Sequence, residues 1–430
     1  MAVSGGLPAA PTETVNYAHV NGYPSPSWGH AHIMGSNKQY DGYESFDYLD
    51  AGVDYQSFDF PDEMHAGGPP YEVSLSDDEE ARVDEINAET TIVSTHEHPF
   101  KFVPEDPKDT FAYTETGRTI TAYEYLARSN LDAIFDYHLD GLTRMHSQSG
   151  WKFSEVVHDM GMRASDIAHQ DFVIRGGSVD DIRRAHEEGK LALIPTMESS
   201  MPLENELDRI DVLHGLGLRA MGVTYNSSNA LGTGLRDMRP HDGGLTNFGH
   251  EAVGRMNKVG MLVSVSHASD QTALDVCEAS DDPVVLTHDG ARAVNETDRL
   301  KPDECLKAVA ETGGFVAIQS APHYTASTDH PRHSVESVMD HFEYLVDLVG
   351  IDHVTFGPDT LYGDHRGLHK LFGTGIPEGS EEIDYVKGME NPTEAWHNIV
   401  RWLVKAGYTD DEIAKVVGGN TLRVLEDVWP

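Results

Sequence analysis

Residues Thr91–His98 read TIVSTHEH. Thr91, Ile92 and Val93 favour extended backbone, and the run is too short and too β-branched for a helix. It predicts a strand over Thr91–His96, stopped by Pro99. Side chains two apart in a strand share a face, so His96 and His98 leave the strand end on one side. Two imidazoles placed that way form a chelate for a divalent cation such as zinc. In a chain with 24 histidines the pair is equally compatible with two surface residues. The ends of the other strands weigh between these readings.

Working outward, strands and helices alternate for almost the whole chain beyond this point. Further strands are predicted over Leu131–His138, Leu191–Met197, Ala220–Tyr225, Met261–Ser266, Pro283–Thr287, Phe315–Gln319 and His353–Gly357. Amphipathic helices are predicted at Ser74–Asn87, Ser178–Gly189, around Leu207, Ile210 and Leu213, and at Phe248–Val259, Pro302–Glu311 and Ser334–Val349. From Asn391 on, three helical stretches follow: NPTEAWHNIVRWLVKAG, TDDEIAKVVGG and NTLRVLEDV. Each is expected to open on a capping residue. Eight apolar strands alternating with helices imply an all-parallel sheet, and eight closes into a (β/α)8 TIM-like barrel. Residues 76–430 are assigned to that barrel and its C-terminal helices. Residues 1–75, rich in Gly, Pro, Ser, Tyr and Asp, are assigned to an irregular, partly disordered extension. Its segment YESFDYLDAGVDYQSFDF carries enough aromatics to pack along the body or across a subunit boundary.

In such a barrel the active site lies where the strands end. The first strand ends in His96 and His98, the third in Glu198 and the fourth in Tyr225. The fifth ends in His267, the sixth in His288 and the eighth in Asp359. Charge at a buried strand end is costly unless it is paired or binds metal. Four histidines and two carboxylates meeting at one mouth make the donor set of a two-metal hydrolytic site. His323, His365 and Asp289 lie just past strand ends, where they could line the pocket, but they read more readily as solvated loop residues.

The runs GGLTNFGHEAVGRMNKVGMLVSVSHAS and PVVLTHDGARAV resemble the membrane (renal) dipeptidases, a branch of the amidohydrolase superfamily. ALIPTMESS, DRLKPDECLKAVAETGGFVAI, FGPD and GGNTLRVLEDV extend the likeness over roughly residues 90–430. The resemblance implies a dizinc (β/α)-barrel hydrolase that cleaves dipeptides. It puts His96, His98 and Glu198 on one metal and His267 and His288 on the other, with Glu198 bridging. It gives Asp359 the proton transfer between water and leaving amine. It also matches Arg299 to an arginine that receives the substrate carboxylate; a surface charge ahead of a helix is the other reading. Two positions depart from the family. His98 stands where an aspartate is usual. Tyr225 stands where a substrate-contacting histidine is usual; it can donate to an oxyanion but cannot act as a neutral-pH base. Hydrolysis of N-acyl amino acids or lactones therefore stays open beside dipeptide cleavage, as does a non-catalytic metal-binding barrel.

Composition narrows the partners. The formal net charge is −41, from 72 acidic and 31 basic residues, which disfavours nucleic acid and anionic membranes. So large an excess predicts a salt-rich, halophilic cytoplasm. Cys277 and Cys305 lie in helical segments without metal or redox spacing and are read as free, buried thiols in a reducing compartment. No run approaches the roughly 20 apolar residues of a membrane span, and no signal peptide or lipid-anchor tail is read. The expectation is a cytoplasmic protein, homo-oligomeric because its aromatic arm needs cover.

Overall fold

Ten short apolar runs pair side by side to build the sheet that carries the site. They are β1 (Val93–Phe102), β2 (Ala133–Tyr137), β3 (Val173–Arg175), β4 (Leu191–Met197), β5 (Ala220–Gly222), β6 (Leu262–Ser264), β7 (Val284–Asp289), β8 (Val316–Ile318), β9 (Val354–Phe356) and β10 (Leu361–Gly363). The structure is a computed structural model. It describes residues 38–60, 70–102, 109–115, 118–137, 152–322, 324–365 and 385–430, all within the unit Gly35–Pro430.

The strands are parallel in the order β10-β1-β2-β4-β5-β6-β7-β8-β9, with β3 against the N-terminal half of β4. The ring closes because β9 and β10 are two parts of one course. β9 pairs with β8, the chain bends at 357–360, and β10 pairs with β1. Across the bend, Asp359 N–H donates to His96 O at 3.1 Å and His98 N–H donates to Thr360 O at 2.8 Å. Eight strand courses thus surround one axis, as the alternation predicts.

Period-2 alternation sorts the apolar residues into two layers. Ala133, Phe135, Ala192, Ile194, Ala220, Leu262, Val285 and Ala317 fill the interior. Ile134, Leu193, Met221, Val263, Leu286, Val316 and Phe356 face outward under the surrounding helices. The floor of the barrel is closed by Val424, Leu425 and Trp429, whose ring stacks on Phe135 at 6.4 Å. Parity therefore aims alternate residues of every strand end into the mouth.

Some sequence expectations need correction. β1 does not stop at Pro99 but runs to Phe102. Proline lacks a donor, and Pro99 sits where the β1–β10 register shifts between His98 and Lys101, so no ladder bond is lost. β3 and β10 were not expected. The first helix is Asp77–Glu89, capped by Ser76 in a capping box with Glu79 rather than opening at Ser74. Asn391 and Thr409 cap as predicted. Asn420 does not, because a π-turn at Lys415–Gly419 carries the chain straight into the helix Asn420–Val428. That turn lies so close to β1 that a Cβ on Gly418 would meet Thr91 O at 2.0 Å. Cys305 is buried, but Cys277 is only half-buried.

The aromatic arm packs on its own chain. Asp166, in the helix Phe153–Ile167, accepts Phe46 N–H at 2.7 Å and the Tyr43, Ser45 and Tyr123 hydroxyls at 2.8, 2.6 and 2.9 Å. Phe46 is 1% exposed, so this part of the arm is covered by its own chain. The disorder expected for the first residues falls on 1–37, outside the described residues. No helix among the described residues is long and apolar enough to cross a membrane.

Candidate metal centre

Each strand end delivers its predicted side chain to one place. His96, His98, Glu198, His267 and His288 are all buried, and Asp359 is nearly so. One oxygen of Glu198 faces three imidazoles: its Oε1 lies 3.4 Å from His96 Nε2, 3.3 Å from His288 Nε2 and 3.6 Å from His267 Nε2. Asp359 Oδ1 lies 3.3 Å from His96 Nε2 and 3.0 Å from His98 Nε2. Two donor groups result, His96–His98–Asp359 and His96–Glu198–His288, each with ligand atoms within 4.8 Å of one another. Asp359 thus joins the His96–His98 pair directly, a contact the sequence reading gave to Glu198 alone.

The donor set fits divalent cations. His267 Nδ1 contacts Asn226 Oδ1 at 2.9 Å, which fixes Nδ1 as the protonated nitrogen and turns the Nε2 lone pair toward Glu198. That lone pair also confronts His288 Nε2 at 2.8 Å. Burial first, with Arg299 and His96 adding to it, pulls both imidazoles well below their ordinary pKa, so they are neutral ligands. Lone pairs and carboxylate oxygens directed at each other in a dry cavity repel unless cations lie between them. Burial alone would raise the Asp359 carboxyl, but His96 and His98 hold it well below the usual range.

Backbone strain sits at two of these positions. His267 and Asp359 have φ of 60° and 62°, the left-handed region that non-glycine residues rarely enter. Such residues cost about 1–3 kcal/mol and persist only where the surroundings hold them. For His267, the buried Lys301 ammonium donates to Ala268 O at 2.6 Å and Leu235 N–H donates to His267 O at 3.0 Å. For Asp359, Glu97 is the holder. Its Oε2 accepts Thr360 N–H at 2.8 Å and the Thr360 hydroxyl at 2.7 Å, and its Oε1 accepts Trp396 Nε1–H at 3.1 Å. Burial lifts the Glu97 carboxyl to about 8, with Thr360 opposing the rise.

The sequence profile described as membrane dipeptidase, peptidase family M19, matches residues 163–429. The chain belongs to the membrane dipeptidase family. It is similar to the dipeptidase aclJ of Aspergillus oryzae, 29% identical over 282 residues, 64% of this chain and 62% of that protein. The match therefore spans less than two thirds of that relative. An amidohydrolase from Pseudomonas aeruginosa shares the fold with a TM-score of 0.65 and 26% identity, over 81% of this chain and 99% of that one. The probable dipeptidase PvdM from the same organism superimposes with a TM-score of 0.64 at 19% identity, over 82% of this chain and 99% of that one, a likeness of fold. The family match begins after β1 and β2, so His96 and His98 rest on geometry.

In this member of the membrane dipeptidase family the remaining predicted residues also gather at the mouth. Tyr225 stacks on the His267 ring, centroids 4.4 Å apart. Arg299 is 5% exposed, which rules out the surface-charge reading. Its Nη1 lies 3.2 Å from Asp289 Oδ2, and its Nη2 donates to His288 O at 3.1 Å and meets His267 Nε2 at 3.4 Å. Asp289 is not a solvated loop residue. It is fully buried, and its Oδ1 accepts the Gly290 and Lys301 N–H groups at 3.0 and 3.1 Å. His365, also read as solvated, is 5% exposed. His323 falls outside the described residues.

Several residues escaped the sequence reading. Tyr137 ends β2 and stacks on His96 at 3.9 Å, a strand-end signal of the same kind as the histidines. Asn226 directly follows Tyr225. Glu97 was legible by parity: between His96 and His98 it must point the other way, and a carboxylate on the second buried face of a strand needs dedicated partners.

Proposed function

We propose that this chain is a metal-dependent hydrolase of the membrane dipeptidase type that cleaves the amide bond of dipeptides. The observation that carries this reading is the convergence of four imidazole Nε2 atoms on the Glu198 and Asp359 carboxylates. His96, His98 and Asp359 would hold one cation and His267 and His288 the other, with Glu198 between. Zinc is the ion this mixed nitrogen and oxygen set favours. When bound, two such ions polarise a carbonyl and bring the pKa of a water toward neutrality.

The side chains then have separate tasks. Asp359, whose Oδ1 sits against His96 and His98, accepts the proton of the attacking water and delivers it to the leaving amine. Tyr225, fixed against His267, donates to the oxygen that gains charge. Arg299 gives the substrate carboxylate a charge-assisted hydrogen bond, while Asp289 keeps the guanidinium at the mouth. Tyr225 and His98 also support a second reading, hydrolysis of N-acyl amino acids or lactones.

Dialysis against a chelator should abolish turnover, and zinc, cobalt or manganese should restore it. Asp359→Asn keeps the shape and one oxygen; it should lower kcat by about 10²–10⁴-fold with near-normal metal content by elemental analysis. Full turnover in the metal-free protein sinks the proposal. A panel of dipeptides, N-acyl amino acids and lactones separates the two substrate classes.

A further inference from the structure

Gln319 directly follows β8 and is fully buried. Among the described residues neither its Oε1 nor its Nε2 has a hydrogen-bond partner. Its own N–H still donates to Asp289 O at 2.9 Å, so the ladder with β7 continues through it. Phe315 and Ala317 belong to the barrel interior, and Val316 and Ile318 to the outer layer. Alternation therefore turns Gln319 inward, one layer above Ala317 and toward the mouth. The segments on either side carry site residues. On one side is His288–Asp289; on the other is Pro358–Asp359, where Pro358 O accepts Ser320 N–H at 2.8 Å.

An amide so placed is a liability for folding alone. Desolvating it without a partner costs free energy, and a methionine of the same length would fill the space without that cost. Buried groups left unpaired call for a reason, and a bound ligand is one that a site mouth supplies. The carboxamide offers one acceptor and a pair of donor hydrogens without charge, which suits a peptide group rather than an ammonium or a carboxylate.

We propose that Gln319 is a substrate-binding residue of this centre, hydrogen-bonding the peptide group of the bound substrate through its uncharged amide. This rests on the hydrolase reading above. The test uses the zinc-loaded full chain and the variants Gln319→Met and Gln319→Asn. In Gln319→Met, kcat/KM on the best panel substrate should fall about tenfold or more, while metal content stays normal and the thermal midpoint is unchanged or higher. Gln319→Asn keeps an amide but withdraws it by one methylene, and should lose activity mainly through KM. If Gln319→Met stays within about twofold of the parent, the inference is overturned and the hydrolase reading stands. A lowered midpoint with kcat/KM preserved in the folded fraction marks a structural amide and also overturns it. If the zinc-loaded parent turns over no panel member, both fall together.

Discussion

Two strained residues, His267 and Asp359, mark the centre as something the fold is made to hold rather than a chance meeting of polar groups. Each is fixed through its following residue, by Lys301 and by Glu97, and neither holder touches a candidate ligand atom through its charged group. Residues that orient ligands in this way usually matter about 10–100-fold in metal affinity. Lys301→Met should therefore weaken zinc binding about tenfold, read by competition with a chromophoric chelator. Zinc affinity equal to the parent's would show that the His267 turn holds itself. Glu97→Ala strands the Thr360 and Trp396 donors, so it should cost about 2–4 kcal/mol in urea unfolding and lower kcat as well. A loss of stability with kcat intact would separate Glu97 from Asp359. The ligands were legible in the sequence because each ends a strand. Asp289 and His365 were not, because burial just past a predicted strand end depends on what folds over it: Asp289 becomes an interior carboxylate only once Arg299, ten residues on, folds back onto it.

At the scale of elements, alternation made the barrel readable and short pairings did not. β4 was placed to the residue, since seven consecutive buried positions between a helix and Glu198 leave little freedom. β3 and β10 carry no comparable pattern and exist only because a neighbour presents a free edge. The ends of the elements are tied by a charged cluster that gives a pH prediction. Asp132, just before β2, pairs with Lys38 of the arm at 2.7 Å and with His186 of the helix Val179–Glu188 at 3.0 Å; it also accepts Ile92 N–H at 2.9 Å. Burial would raise the Asp132 carboxyl, but Lys38 and His186 hold it below its ordinary value. The bond to Asp132 raises His186, with burial opposing. A raised histidine contributes stability below its unfolded pKa and loses it as pH climbs through the folded value. The depressed carboxyl contributes above its unfolded pKa and loses it in acid. The cluster is thus strongest between those limits. His186 is half-exposed, so solvent screening keeps the effect small: His186→Ala should cost about 0.5–1 kcal/mol at pH 6 and less at pH 9 by urea unfolding. An equal cost at both values would remove the charge from the account.

For the whole molecule, the dominant fact is the charge. With 72 acidic and 31 basic residues, even complete pairing leaves an excess of 41 carboxylates. The described ion pairs show where the cations go: Arg401 with Glu80 and Glu72, Arg255 with Asp208 and Asp211, Arg292 with Asp270. One cation shared between two acids leaves a negative remainder in two of those three clusters. In dilute salt, where the screening length is about 10 Å, the remainders repel over the distance between neighbouring helices; near 1 M it shrinks to about 3 Å and they do not. The same field draws divalent cations toward a mouth lined by Glu198, Asp359 and Asp289. The thermal midpoint should therefore climb by several degrees between about 0.1 and 2 M KCl, most steeply at the low end where screening changes fastest. Sucrose acts by exclusion from the surface and does not screen charge, so it provides the control. A midpoint flat in KCl, or one that sucrose raises just as much, would mean the acidic surface is tolerated without salt and that a salt-rich interior is not what this composition answers to.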